Sequence, residues 1–96
     1  MLNHLVFFRL KDRSPENVQR LRAILQSMDG QIPMLRYIEV GVNVVDSPRA
    51  YDLALVTRFD SLAAMKEYQA HPFHVEQVMP HTHALAESVV AVDYES

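Results

Sequence analysis

Four of the five histidines in this 96-residue chain lie within thirteen residues, from His71 to His83. Tyr68 comes shortly before them, and the fifth histidine, His4, lies near the start of the chain. Histidine is the side chain best suited to proton transfer near neutral pH, and it is also a common metal ligand. The cluster therefore predicts either acid–base chemistry or metal binding.

The spacing of the histidines favours acid–base chemistry over a metal site. His71 and His74 are three residues apart, but Pro72 interrupts the helical register that would place both on one face. His74 falls in the first turn of the helix that Pro72 opens, where the positive helix end disfavours the imidazolium and leaves a neutral base. The Tyr68 hydroxyl could then donate a hydrogen bond to a carbonyl oxygen. The structural alternative is that these side chains only pack and tie the helix break to the sheet.

The elements that must position these residues follow the order β-α-β-β-α-β. Alternating apolar residues predict the strands, and Ser14-Pro15-Glu16 and Asp60 or Ser61 predict the two helix starts. This order is the ferredoxin-like α+β arrangement with an antiparallel sheet, in a single domain spanning residues 1–96. The predicted strands cover residues 2–10, 36–45, 51–59 and 88–95.

Both faces of the predicted sheet carry apolar side chains, although helices can cover only one of them. The helix-facing side of the first strand holds His4, Val6 and Phe8. A monomer that exposed the opposite face would be unusual, so we expect a homodimer that packs two sheets together. The residues expected on that open face are Leu5, Phe7, Tyr37, Ala54, Val56, Val89 and Ala91, with Arg9, Glu39, Arg58 and Asp93 available for ion pairs. A monomer with an exposed apolar sheet is the alternative.

Composition excludes several classes of protein. The net charge of −3, with scattered basic residues, argues against nucleic acid as a partner. No apolar run is long enough to cross a membrane, and no signal peptide is apparent, so a cytoplasmic location is expected. The absence of cysteine excludes disulfides and thiolate metal ligands. The two isolated glycines form no phosphate-binding loop, so no cofactor or metal is expected.

Three segments carry a family resemblance: His4 to Lys11, Tyr51 to Ser61, and the run Tyr68-Gln69-Ala70-His71-Pro72-Phe73-His74-Val75. Together they resemble the stress-responsive A/B barrel (Dabb) family over nearly the whole chain. Membership implies a dimeric α+β barrel.

The resemblance also implies candidate site residues. One family member is a plant polyketide cyclase that makes olivetolic acid with a histidine base and an assisting tyrosine. His74 and Tyr68 match those two positions, and His4 matches a further pocket histidine. Leu53 falls where the cyclase has another pocket histidine, which makes the expected pocket more apolar.

The candidate function is a cofactor-free lyase, cyclase or isomerase step on a small apolar or aromatic ligand. His74, Tyr68 and His4 are the candidate catalytic residues, and the candidate ligand-binding residues are Leu53, His71, Val6 and Phe8. The alternatives are a non-enzymatic ligand-binding or structural dimer in a stress response, and a cofactor-free monooxygenase, which rests on analogy of fold.

Overall fold

The structure, a computed structural model, describes residues 1–96 and confirms the βαββαβ order. The four strands form one antiparallel sheet in the order β2-β3-β1-β4, so the first strand lies between the third and the last. This is the ferredoxin-like fold. The elements are β1 (Leu2–Leu10), α1 (Pro15–Gln26), β2 (Tyr37–Val42), β3 (Leu53–Phe59), α2 (Leu62–Ala70), a π-helical segment (Phe73–Val78), α3 (Met79–Leu85) and β4 (Ala86–Glu95).

The two main helices begin where their capping residues predict. The Ser14 hydroxyl accepts a hydrogen bond from the Asn17 amide at 3.3 Å, and Pro15 is the first residue of α1. Ser61, not Asp60, caps α2 in the same way, accepting from the Ala64 amide at 3.1 Å. No helix in the structure has the length and apolar character needed to cross a membrane.

The core lies between the helices and one face of the sheet. The helix-facing residues of β1 and β3 are buried there, as predicted, and α1 contributes two fully buried leucines. The largest fully buried side chains are Tyr68, Phe59, Leu10, Leu21, Leu25, Met28 and Leu53. A layer of helices on one side leaves the other face of the sheet without cover from this chain.

The prediction of which β4 residues lie on each face of the sheet is wrong. In the antiparallel register Val89 lies opposite Phe8, Ala91 opposite Val6 and Asp93 opposite His4, so all three belong to the helix-covered side. Val90 and Val92 pair with Phe7 and Leu5, so they lie on the open face in place of Val89 and Ala91. Four consecutive apolar residues, 89–92, contain no alternation, so only pairing with β1 determines their facing.

The predicted end of β2 is also wrong. The strand stops at Val42 instead of Val45, leaving Val44 and Val45 with 92% and 68% of their surface exposed. Beyond the strand, the Asn43 backbone amide donates to the Asp52 carbonyl at 2.9 Å, and its side-chain amide donates to the Val45 carbonyl at 2.9 Å. The paired residues of β2 and β3 end at Val42 and Leu53, so the valine pattern continues beyond them without a partner strand.

Asp52 joins the end of β1 to the loop before β3. Its buried carboxylate accepts from the Leu10 amide at 2.8 Å and from Arg13 Nε at 2.9 Å. The Arg36–Asp60 pair, in contrast, is exposed on both sides. Removing one partner of a buried bond leaves the other unsatisfied, whereas an exposed pair returns to water.

We therefore predict that Asp52→Ala lowers the free energy of unfolding by about 2 kcal/mol. The matched variant Asp60→Ala is expected to cost less than about 1 kcal/mol. Urea unfolding of the two variants measures the difference, and equal losses would contradict the structural role of Asp52.

Candidate functional site

A cavity of about 270 Å³ opens between the helices and the β1–β4 side of the sheet. Ten of its fifteen lining residues are hydrophobic, which suits a largely apolar ligand. The apolar part includes Val6, Phe8, Leu25, Leu55, Val78 and Val89. The polar groups are the Tyr68 hydroxyl and the side chains of His4, Gln69, His74, Thr82 and His83.

Tyr68 lies between two imidazole rings in the wall of this cavity. Its ring centroid is 4.7 Å from that of His74 and 6.3 Å from that of His4, which it meets edge-on. Phe59 packs against it at 4.8 Å, and only 1% of the tyrosine surface is exposed. The phenol is thus held in a fixed orientation by aromatic contacts.

The Tyr68 hydroxyl has no strong hydrogen-bond acceptor. It donates to the Met28 sulfur at 3.5 Å, and a thioether is a weak acceptor. Burial raises the pKa of Tyr68 well above its ordinary value of 10.0, so the hydroxyl keeps its proton. A ligand oxygen that entered the cavity would offer this donor a better partner than Met28.

The chain forms a wide π-helical turn after Pro72, and this turn places the His74 side chain beside the end of α2. Its Nδ1 lies 3.1 Å from the carbonyl oxygen of Gln69. Since a carbonyl only accepts, Nδ1 carries the proton and the neutral ring presents a free lone pair on Nε2.

The protonation of His74 follows from its surroundings. Burial lowers the pKa of His74 below 6.5, and positive charge on His4 or His71 would lower it further, while the bond to Gln69 acts in the opposite direction. The ring is therefore neutral at pH 7.

His4 is oriented by a carboxylate on the neighbouring strand. Its Nδ1 is hydrogen-bonded to Oδ1 of Asp93, the residue directly opposite it in the β1–β4 register. A carboxylate bonded to one ring nitrogen fixes the orientation of the ring. The expectation that Asp93 forms ion pairs on the open face is wrong because the register places it beside this site.

The structure brings five of the seven candidate residues together: His4, Val6, Phe8, Tyr68 and His74 all line the cavity. The other two lie outside it. Leu53 is buried on β3, opposite Phe8 and Val42. His71 accepts the Phe73 amide on Nδ1 at 3.1 Å, so it holds the helix break in place.

Sequence reasoning missed Met79, Thr82 and His83, which line the cavity from α3. The spacing of these residues at i, i+3 and i+4 places them on one helix face, and this signal was present in the sequence. None of the three was among the candidate site residues, and His83 itself remains largely exposed.

Comparison with known proteins now decides the family. The Stress responsive A/B Barrel Domain family matches residues 2–96. The chain belongs to this family. An uncharacterized protein of Streptomyces coelicolor is 38% identical over 77 residues, covering 77% of this chain and 79% of that protein.

Solved structures share the fold. A dimeric protein of unknown function from Bacteroides fragilis is 30% identical with a TM-score of 0.83, and the match covers 99% of this chain and 95% of that one. A hydroxynitrile lyase from Passiflora edulis, at 19% identity, has a TM-score of 0.82, with 97% of this chain and 90% of that one covered. At that identity the second likeness concerns the fold alone.

The lowered pKa of His74 predicts how stability depends on pH. The unfolded chain takes up a proton at His74 as pH falls through 6.5, whereas the folded chain resists it, so this residue makes the protein less stable at lower pH. We expect wild type to lose stability relative to His74→Gln between pH 7.5 and 5.5 in urea unfolding. His81→Gln, an exposed histidine outside the cavity, is the control and is expected to follow wild type. An equal change of unfolding free energy with pH in wild type and His74→Gln would contradict the lowered pKa of His74.

Proposed function

We propose that the protein is a cofactor-free enzyme that transfers protons on a small, largely apolar carbonyl compound. The observation that carries the proposal is the placement of Tyr68 between His74 and His4 in one cavity, with Nδ1 of each imidazole already hydrogen-bonded. These bonds leave the two Nε2 atoms for a ligand.

Each of the three side chains has a separate role in the proposed reaction. The Tyr68 hydroxyl donates a hydrogen bond to the carbonyl oxygen and stabilises the negative charge that develops there. Nε2 of neutral His74 accepts a proton from the adjacent carbon, which forms the enolate. The His74 imidazolium then returns this proton to the enolate carbon, or to the alkoxide that forms when the enolate attacks a second carbonyl carbon. Asp93 holds His4 in the orientation that lets its Nε2 contact the ligand. Lyase, cyclase and isomerase steps share this proton transfer.

The cavity supports a ligand with one substituted ring. A cavity of roughly 150 Å³ holds benzene, and this one is larger at about 270 Å³. No Lys or Arg lines it, so a phosphate or carboxylate group would lack a cationic partner. A neutral ketone or phenol-like compound fits better.

The test is deuterium exchange at carbon. Aryl ketones and cyclic diketones are incubated in D2O, and NMR follows loss of the proton next to the carbonyl. Wild type is expected to accelerate exchange for at least one compound, and His74→Gln or Tyr68→Phe is expected to lower that rate at least about a hundredfold. His81→Gln, on α3 but outside the cavity, is expected to retain it.

A thermal-shift series with the same compounds separates the enzyme from a ligand-binding protein. A ligand at about one hundred times its dissociation constant stabilises the fold by about 2.7 kcal/mol. Stabilisation that depends on Tyr68 and His74 without exchange would support a binding protein and contradict catalysis. No binding by any compound together with no exchange would contradict the site itself.

We also propose that the chain functions as a homodimer through the open sheet face. The face presents Leu5, Phe7 and Val56, and the corrected register adds Val90 and Val92. Contiguous apolar surface of this kind marks an interface, and the Bacteroides fragilis relative is described as dimeric.

Light scattering tests the dimer. Wild type is expected at twice the chain mass of 11.0 kDa at micromolar concentration. Val92→Asp is expected to shift it to one chain mass, because a charge would be buried between the sheets. Val75→Asp is the matched control, since this valine is 44% exposed on the helical side, and it is expected to remain dimeric. A wild-type mass near 11.0 kDa would contradict the proposal.

A further inference from the structure

The wall of the cavity formed by α3 has no part in the proposed proton transfer. Met79, Thr82 and His83 line the cavity there, and Gln69 lines it from α2. His83 and Gln69 are exposed, so water can satisfy their polar atoms at the rim of the cavity. Thr82 is partly buried, and its hydroxyl is the polar group of this wall that a bound ligand would shield from water.

The Thr82 hydroxyl can only accept a hydrogen bond from a ligand. Its Oγ1 donates to the carbonyl oxygen of Val78, one helical turn earlier, at 3.1 Å. A hydroxyl group has one proton and two acceptor lone pairs, so this bond uses the proton and leaves the lone pairs free. Val78 is itself a buried residue of the cavity wall. The bond therefore fixes the Thr82 oxygen as an acceptor in that wall.

A simple ketone does not match the hydrogen-bonding groups of the cavity. In the proposed reaction its carbonyl oxygen accepts from the Tyr68 hydroxyl, and its adjacent carbon supplies the proton that Nε2 of His74 accepts. It has no proton for Thr82, whose oxygen would lose contact with water when the ligand binds. A buried acceptor left without a donor costs free energy, whereas a hydroxyl group on the ligand would supply the missing donor.

We infer that Thr82 is a specificity-determining residue that accepts a hydrogen bond from a hydroxyl group of the substrate. The inference rests on the proposed function and narrows its substrate class to hydroxy-substituted carbonyl compounds. A site that hydrogen-bonds a hydroxyl group rejects analogues that lack it, because its own polar group then stays unpaired. Thr82 thus selects among ketones, while Tyr68 and His74 act on the carbonyl group that all of them share.

Matched aryl ketones test the inference in the deuterium-exchange assay. The probes are meta- and para-hydroxyacetophenone with the corresponding methoxyacetophenones, whose ether oxygens cannot donate a hydrogen bond. Wild type is expected to favour at least one hydroxy compound over its methoxy analogue by at least about fivefold in kcat/KM. A preference of about fivefold corresponds to about 1 kcal/mol, the usual net contribution of one neutral hydrogen bond.

Variants of Thr82 separate the hydrogen bond from the size of the probes. Thr82→Val keeps the shape of the side chain without the hydroxyl, and it is expected to reduce the preference to less than about twofold. Thr82→Ser keeps the hydroxyl and is expected to keep the preference. His81→Gln, on α3 outside the cavity, is the control and is also expected to keep it. Thr82→Ala, a substitution that favours the helix, repeats the comparison if the valine variant does not fold.

The outcomes distinguish the role of Thr82 from the proposed function. Exchange by wild type with the same preference in Thr82→Val would overturn the inference, because another acceptor such as His4 would then bind the ligand hydroxyl. Exchange without any preference for a hydroxy compound would overturn it as well. Both results would leave the proposed function in place.

Absence of exchange with every compound would contradict the proposed function, and dissociation constants from the thermal-shift series would then decide about Thr82. Binding of a hydroxy compound at least about fivefold tighter than its methoxy analogue, lost in Thr82→Val, would support the hydrogen bond. Equal dissociation constants, or no binding of any probe, would overturn it.

Discussion

The central strand β1 determines the geometry of the whole molecule. It is hydrogen-bonded to β3 on one side and to β4 on the other, so its alternation decides which residues of three strands share each face. His4 is therefore placed in the middle of the helix-covered face, opposite Asp93. A shift of one residue in this register would move His4 away from the core and Asp93 away from His4.

The helix break at His71-Pro72 supplies the other half of the site. A proline cannot continue α2, and the residue before it is driven out of the helical region. His71 bonds to the Phe73 amide, and the wide turn that follows returns His74 to the Gln69 carbonyl. Wide helical turns of this type are frequent at functional sites. Here the turn places His74 against the face of Tyr68.

Much of the fold could be predicted from the sequence because its signals are local. Ser14 and Ser61 start helices, and alternating residues in β1 and β3 predict their buried faces correctly. The facing of β4 could not be predicted, since residues 89–92 are apolar without alternation and depend on pairing with a distant strand. The end of β2 was mispredicted for a related reason. Val44 has strand character, but the pairing of β2 with β3 ends at Val42 and Leu53.

The candidate site was only partly predictable. The motif around Tyr68 and His74 identifies residues that the fold does bring together. Asp93 and His83 were missed for different reasons. Asp93 reaches the site only through the β1–β4 register, and His83 only because one face of α3 lines the cavity. Leu53 was included by similarity of position and His71 as a member of the histidine cluster, whereas the cavity lies towards β4 and α3.

The most direct test of the account is the protonation of His74 in the free protein. Long-range nitrogen–proton NMR of the imidazole rings at pH 7 distinguishes the two neutral tautomers from the imidazolium. We predict a neutral His74 ring with its proton on Nδ1 and none on Nε2. A proton on Nε2, alone or in the doubly protonated ring, would contradict the proposed base.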